Sequence, residues 1–347
     1  MVKRFFIQLI FIISTGLYAG GLFAHAPSEF KGHSYEVHSV SFSKNGKLMA
    51  SGSGDRTAIV WNIETKEPVF TINSHNRTIY SVAFSKIKNN LLATSSSDGH
   101  LILWDVDTKS IMATLVKGDT TSNGILDMEF SPTKNILAVS YMNGELVLWD
   151  ADTFETIDRV FAHPYGFAMS VTFSPNGERL VTTGGVDNSV VLFETKGLKE
   201  RARFGNNFLQ NKDVHDYQNG EYVGTIWDAA FAPDGYTIVT VNSAGKLSLW
   251  KEGSVSPRAE LIVNDYLAQS VVVTKDGKKA IVGVDGYNSE EGNFIKVIDL
   301  GTMQIEAEVS AHKNRIRGID LSPDGRFIAT ASWDETVKIW DVSKLKE

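Results

Sequence analysis

The chain has 347 residues, 42% hydrophobic and 22% charged, with a formal charge of −7, the wrong sign for a protein that grips nucleic acid through its phosphates. It contains no cysteine, which excludes disulfides, a lipid anchor on cysteine, cysteine-ligated metals and c-type haem attachment. A single domain of this length buries an adequate core without such staples.

The first segment is basic, Met1-Val2-Lys3-Arg4, and then mainly apolar from Phe5 to Phe23, broken by Gln8, Ser14, Thr15 and several glycines. Ala24-His25-Ala26 follows as a small-x-small run. This pattern predicts a signal peptide over residues 1–26, cleaved there or after Ala19, Gly21 or Ala24. An uncleaved anchor is the alternative, since the apolar stretch approaches the roughly 20 residues that span a bilayer. The polar interruptions favour cleavage, as does the closeness of the first expected strand to the apolar stretch. The expectation is therefore a mature domain over 27–347, in the periplasm or secreted, with no stable membrane insertion. Removing Lys3 and Arg4 takes the formal charge from −7 to about −9.

From Gly32-His33 onward the chain reads as strands. Val37-His38-Ser39-Val40-Ser41-Phe42 alternates like a half-buried strand, and Ser43-Lys44-Asn45-Gly46 closes a tight turn. Lys47–Ser51 is a second strand, Gly54-Asp55 a second turn, Thr57–Trp61 a third strand and Val69–Ile72 a fourth. The first turn recurs as Ser174-Pro175-Asn176-Gly177, Ala232-Pro233-Asp234-Gly235, Lys275-Asp276-Gly277 and Ser322-Pro323-Asp324-Gly325, with the Asn-Gly and Asp-Gly chemistry of hairpin turns. An aromatic stands six residues after the second turn again and again: Asp55 to Trp61, Asp98 to Trp104, Asn143 to Trp149, Asp187 to Phe193, Ala244 to Trp250, Asp334 to Trp340. Such a period is that of an array of four-stranded sheets.

On these residues the chain resembles the WD40 repeat family, from Ser28 to Lys344. Carrying the resemblance are the His near the start of each unit, the Asp of the second turn, and the Trp-Asp pairs Trp104-Asp105, Trp149-Asp150 and Trp340-Asp341. The resemblance implies a hydrogen-bonded tetrad of His, Ser or Thr, Asp and Trp in each blade. Complete sets are His33/Ser51/Asp55/Trp61, His75/Thr94/Asp98/Trp104 and His312/Thr330/Asp334/Trp340. A partial set, His163/Thr183/Asp187, ends in Phe193, which has no indole donor. The third unit has Asn143 and no His, the fifth keeps Thr240 and Trp250 only, and the sixth, ending at Ile298, has lost all four. Blades 3, 5 and 6 are therefore expected to depend more on apolar packing.

Third-strand ends at Trp61, Trp104, Trp149, Phe193, Trp250, Ile298 and Trp340 give seven units. The fold expected is all-β: a seven-bladed β-propeller of four-stranded antiparallel blades. The last unit has no fourth strand after Trp340-Asp341, so Ser28–Lys31 is expected to complete it and close the ring.

The fold does not specify a function, which has to be argued from the site. The resemblance implies that partners bind the face formed by fourth-to-first and second-to-third strand loops. Two departures from the period fall there: residues 205–225, with Phe208, Tyr217 and Tyr222, and residues 285–293, with Tyr287. At the family's variable rim positions the chain places His38, Tyr80, Leu126, Met169, Trp227, Gln269 and Arg317, with Met142 and Trp333 in the second turns. Tyr80, Met169, Trp227, Arg317 and Trp333, with the loop aromatics Phe208, Tyr217, Tyr222 and Tyr287, are the candidate partner-binding rim. Tyr, Trp and Arg are enriched in binding hot spots; packing against a neighbouring blade is the alternative role for Trp227.

The competing class is an enzyme or accessory subunit of a periplasmic redox system, or a small-ligand binder using the central channel. Of eight His, only His38, His100 and His215 are free of the tetrads and of the segment at His25, and they fall on separate blades. No nucleophile elbow or phosphate loop is present, and Asp285 to Glu291 lacks the alternation of a dedicated Ca²⁺ loop. The expectation is a non-catalytic interaction scaffold with no cofactor and no metal. Its expected partner is a protein or peptide, and the chain is a monomer or part of a hetero-complex.

Overall fold

The computed structural model describes residues 27–342 apart from 117–123, 206–216, 219–220, 223, 253, 255 and 287–292. Its strands form seven antiparallel four-stranded sheets arranged as blades around a channel, plus a two-stranded ribbon. Blade 1 is made of Val37–Phe42, Leu48–Ser53, Ala58–Asn62 and Pro68–Ile72, from the innermost strand outward. The innermost strands of blades 2 to 7 are Ile79–Phe84, Ile125–Phe130, Ala168–Phe173, Ile226–Phe231, Ala268–Val273 and Ile316–Leu321. One 3₁₀ turn, Lys196–Leu198, interrupts the strands.

The strands form where β-branched and aromatic residues alternate, and they reverse where turn chemistry demands it. Gly46 N–H donates to the Ser43 carbonyl at 2.8 Å, and Gly46 sits at a φ of 66° that a Cβ would strain.

Among the described residues no apolar cluster lies on the ring axis. Instead there are seven buried clusters, each built from two adjacent blades. Leu101, Leu103 and Leu115 of blade 2 pack with Phe130, Val139 and Val147 of blade 3, for example. Each blade is thus a two-faced sheet covered on both sides by its neighbours.

Closure uses the first strand. Ser28–Lys31 pairs antiparallel with Thr336–Asp341 of blade 7, Phe30 standing opposite Val337. Phe30 is 2% exposed and meets Trp61 of blade 1 edge-on at 5.7 Å between ring centroids. The closing strand therefore completes one blade while filling the interface with the next.

Every innermost strand begins with a register shift: between Val37 and Ser39 in blade 1, Ile79 and Ser81 in blade 2, and equivalently in each later blade. The residue skipped is His38, Tyr80, Leu126 or Met169 in blades 1 to 4, and Trp227, Gln269 or Arg317 in blades 5 to 7. All of these line the channel. A β-bulge places one unpaired residue out of the ladder and re-aims its side chain; here it does so in all seven blades, at one end of the channel.

Truncating the closing aromatic tests the ring. Phe30→Ala is expected to destabilise the protein by about 3–5 kcal/mol, the cost of emptying a large aromatic site in a packed interface, read as a lowered urea midpoint. A midpoint within error of the wild type would show that closure does not depend on this strand.

Candidate functional site

The tetrads form along one face of blades 1, 2 and 7. In blade 1 the Trp61 indole N–H donates to Ser51 Oγ at 2.8 Å, Ser51 Oγ lies 2.8 Å from His33 Nε2, and His33 Nδ1 lies 3.0 Å from Asp55 Oδ2. Blade 2 repeats this with Trp104, Thr94, His75 and Asp98, and blade 7 with Trp340, Thr330, His312 and Asp334. Indole can only donate and an ionised carboxylate can only accept. The chain of donation therefore runs Trp to hydroxyl to His Nε2, and from His Nδ1–H to Asp. Each Asp also accepts the backbone N–H after its His, from Ser34, Asn76 and Lys313. The fourth-to-first loop is thereby tied to the second turn.

Blade 4 corrects one member of the partial set. His163 Nδ1 reaches Asp187 Oδ2 at 3.0 Å, but its Nε2 meets Thr182 Oγ1 at 2.9 Å, not Thr183. Thr183 points to the opposite face, where its Oγ1 lies 3.0 Å from Ser170 Oγ. The cause is a second turn one residue longer than that of blade 1: Gly184 N–H bonds the Ser189 carbonyl, whereas Ser53 N–H bonds that of Thr57. Counting back from the aromatic then lands one residue off, and one residue in a strand reverses the face. A further participant is the residue two after the Asp: Thr57, Ser189 and Thr336 each approach the His Nδ1 at 3.1–3.3 Å. Its hydroxyl or β-branched type at a fixed offset was the available signal. In blade 5 the Trp250 indole donates to Thr240 at 2.9 Å. Blade 6 carries ion pairs instead, Arg315 with Asp285 at 2.8 Å and Lys296 with Glu308 at 2.9 Å.

The bulge residues assemble a cluster at the channel mouth. The Arg317 guanidinium lies over the Trp227 ring at 4.6 Å, reaching from blade 7 across blade 6. Arg315 lies over Trp333 at 4.9 Å. His38 meets Tyr80 and Trp333 edge-on, at 5.2 and 6.1 Å. Trp227 thus carries the guanidinium of another blade on its ring face. Met169 stands with Phe167 against Gly185, where a Cβ would meet its Sδ at 3.1 Å. The same face exposes loop aromatics that the repeat pattern does not mark: Tyr35 is 55% exposed and Tyr165 61%, with Phe167 and Tyr266 also open. Tyr217 and Tyr222 pair through their backbones in the two-stranded ribbon. Phe208 and Tyr287 lie outside the described residues, as does His215. His100 Nδ1 stays in its own blade, 3.3 Å from Asp98.

Below the mouth the innermost strands present free edges to the channel, and neighbouring blades cap them. Ser39 and Ser41 accept the N–H groups of Val82 and Phe84; Asp127 and Glu129 accept those of Val171 and Phe173. Asp228 accepts Val271 N–H, Ser270 that of Ile319, and Asp320 that of Phe42. Backbone donors that no ladder satisfies are met by side chains one blade away. The channel they enclose has a volume of about 340 Å³.

The model of the WD domain, G-beta repeat, matches residues 26–62, 66–105, 111–150, 155–194 and 303–341, more than half of the chain. The chain belongs to the WD40 repeat family. The unmatched stretch covers blades 5 and 6, where the tetrads have decayed. This WD40 chain is 26% identical over 307 residues to the transcriptional corepressor LEUNIG_HOMOLOG of Arabidopsis thaliana, covering 88% of the chain and 35% of that relative. It is 31% identical over 127 residues to protein groucho of Drosophila melanogaster, covering 36% of the chain and 16% of that relative. It is 26% identical over 129 residues to the target of rapamycin complex subunit wat1 of Schizosaccharomyces pombe, covering 37% and 41%. The chain thus spans less than half the length of each of these relatives. They overturn the periplasmic or secreted location expected from residues 1–26: all three are eukaryotic, and the two names that state a role are a transcriptional corepressor and a complex subunit. Residues 1–26 lie outside the described residues.

Two sets of aspartates in this WD40 propeller are displaced in opposite directions. Burial pushes the Asp334 carboxyl up, but the hydrogen bond and charge of His312, then Thr336 and Lys313 N–H, outweigh it and hold it well below its ordinary range. Asp55 and Asp98 behave alike. In the channel burial wins. Asp127 is pushed up to about 7, the Val171 N–H opposing and the Asp228 charge adding to the shift. Glu129 rises to about 7 by burial against the pull of Lys86, and Asp228 to about 6 by burial against its N–H donors and Arg317. Burial and the Arg317 charge lower His38 to about 3, leaving it neutral.

Asp334→Ala is expected to destabilise by about 1–3 kcal/mol, by leaving buried donors unsatisfied. Because the folded carboxyl is the stronger acid, its contribution is full above the ordinary aspartate range and fades as pH falls below it; the wild-type and variant melting curves should converge in acid. Curves that coincide at pH 7 would remove the tetrad from the stabilising interactions. Asp127 has the opposite sign: the fold keeps a proton that the unfolded chain releases between about pH 4 and 7, so stability falls as pH rises through that window. Asp127→Asn, which still accepts the Val171 N–H, should be more stable than wild type at pH 8 by at least about 1 kcal/mol. The gain should shrink below pH 7 and disappear towards pH 4, and a constant difference would refute the assignment.

Proposed function

We propose that this WD40 propeller is a non-catalytic scaffold that holds a protein or peptide partner on the face where residues 205–225 and 285–293 emerge. The observation that carries this reading is the set of stacked pairs around the channel mouth, Arg317 on Trp227 and Arg315 on Trp333, with His38 and Tyr80 beside them. A guanidinium stacked on an indole has already lost much of its rotamer freedom. Binding to such a surface orders few further side chains, and that ordering cost is what separates weak from tight interfaces of equal area. Arg, Trp and Tyr are also the types in which binding energy concentrates. Exposed Tyr35, Tyr165, Phe167 and Tyr266 extend the apolar contact outward from this centre. The family supports the reading at a coarser level, since its members commonly bind protein partners in complexes.

Crosslinking followed by pull-down of the full chain from its native cells tests this. The double variant Trp227→Ala/Tyr80→Ala should lose specific crosslinked partners by about tenfold or more, the effect of one hot-spot residue, while its melting temperature stays near wild type. A variant that folds and retains every partner would defeat the proposal.

A further inference from the structure

Each blade ends in an outer strand with one unpaired edge, and such an edge can pair with another chain unless it is protected. Six of the seven edges in this ring carry protection. Asp158 and Arg159 charge the edge of blade 3, Arg201 that of blade 4, Glu260 that of blade 5, Glu306 that of blade 6 and Glu29 that of blade 7. Blade 1 has an uncharged edge, Pro68–Ile72, but it opens on a proline, and the Lys109 ammonium donates to the Val69 carbonyl at 3.1 Å.

Blade 2 is the exception. Its outer strand, Ser110–Val116, runs for seven residues, Ser-Ile-Met-Ala-Thr-Leu-Val, without a charge, a proline or a glycine. It pairs with His100–Asp105 and is the last strand of its sheet. A bulge at Met112 interrupts the ladder between Ile111 and Ala113, but the same bulge recurs in blades 1, 3, 4 and 6, which are protected besides. Ala113 and Leu115 pack towards blade 3, while Ile111 and Met112 stay 48% and 41% exposed. On the neighbouring perimeter the outer strand of blade 3 exposes Ile157 and Phe161.

The lack of charge bears on what covers this edge. A strand from a different protein is selected by opposite charges, and an edge kept for one gains from carrying them. A strand that pairs antiparallel with its own copy about a two-fold axis sets the residues near the axis against themselves, so any charge there meets its like. The blade 2 edge meets that condition for self-pairing. We propose that two copies of this chain join through it, Ser110–Val116 of one running antiparallel to Ser110–Val116 of the other in full overlap, so that two four-stranded blades become one eight-stranded sheet. Each chain has one such edge and pairing occupies it, so assembly closes at a dimer. Ile157 and Phe161 widen the contact. A strand pair with a narrow apolar margin lies at the small end of specific interfaces, which gives a dissociation constant in the micromolar range. The channel mouth is built by the innermost strands, away from this perimeter, so the dimer goes beyond the scaffold reading and presents two copies of the partner face.

The test is sedimentation velocity of the full chain from about 5 to 200 μM in about 0.15 M salt, where repulsion between two chains of formal charge −7 is screened beyond about 8 Å. The wild type should pass from monomer to dimer across this range. Thr114 is exposed and next to the midpoint of the strand, so in the overlapped pair it stands diagonal to its own copy, about 7–8 Å away and within reach of a long side chain. Thr114→Lys and Thr114→Glu should each weaken association by about tenfold or more, with melting temperatures near wild type. An equimolar mixture of the two variants should recover it, because lysine then meets glutamate; misfolding of either variant would give no such recovery. A wild type that stays monomeric at about 200 μM would leave the edge to a strand of another protein and overturn the dimer. So would a variant that associates like wild type, or a mixture no more dimeric than its components.

Discussion

A four-stranded blade with two apolar faces cannot bury both by itself, and the whole molecule follows from that constraint. Each of the seven buried clusters belongs to two blades, so the stability of any blade is shared with its neighbours. This is the one-dimensional logic of repeat proteins with the two ends joined. The join is chemically like the other interfaces: Phe30 occupies it with Val37, Trp61 and Val337 as any third- or fourth-strand residue would. The tetrads act at a different place, near the loops, where they hold turns in position. The two largest clusters lie at the 2/3 and 5/6 interfaces, while those at 4/5 and 6/7, which also flank blades 5 and 6, are the smallest, so cluster size does not follow the loss of the tetrad.

Closing a ring of sheets creates a second constraint on the inside. Seven innermost strands turn their free edges toward one narrow channel, where unsatisfied N–H groups are costly. Ser39, Ser41, Asp127, Glu129, Asp228, Ser270 and Asp320 meet those groups from one blade to the next. Serine would suffice for the hydrogen bond. Using carboxylates brings negative charge into a poorly solvated space. Part of that charge is answered by Lys86 and Arg317.

The fold was legible because its signals are local and repeated: turn dipeptides, strand alternation and a constant turn-to-aromatic interval. The tetrads were legible wherever the second turn kept its length. Thr183 failed as a member because one added residue between Gly184 and Ser189 moved the hydroxyl to Thr182, and a fixed count cannot register a local insertion. The rim positions could be named from the repeat, but not the reason they converge, since a bulge is a property of pairing and leaves no mark in a single strand. Least legible were the channel acids. Asp127, Glu129, Asp228 and Asp320 look like the outward polar residues of alternating strands. Only closure of the ring, a contact between blades, places them facing one another.

The two aspartate sets are displaced in opposite directions because their surroundings differ. A tetrad aspartate is surrounded by donors and a partner imidazole, so its charged form is the stable one and the fold gains from it. A channel aspartate such as Asp127 has its hydrogen bonds but no counter-charge, so the fold is less stable with it ionised than with a neutral isostere in its place. Blades 5 and 6, where the repeat is weakest, supply Trp227, Asp228 and Gln269 to the mouth, beside Arg317 of blade 7. A complete tetrad there would stiffen the loops, but it would do nothing for the bulge residues, whose aim is set by the inner strand. The decay of the repeat and the placement of the site are therefore compatible: the outer turns of these blades are free to vary because the ring, not the tetrad, holds the inner strands in register.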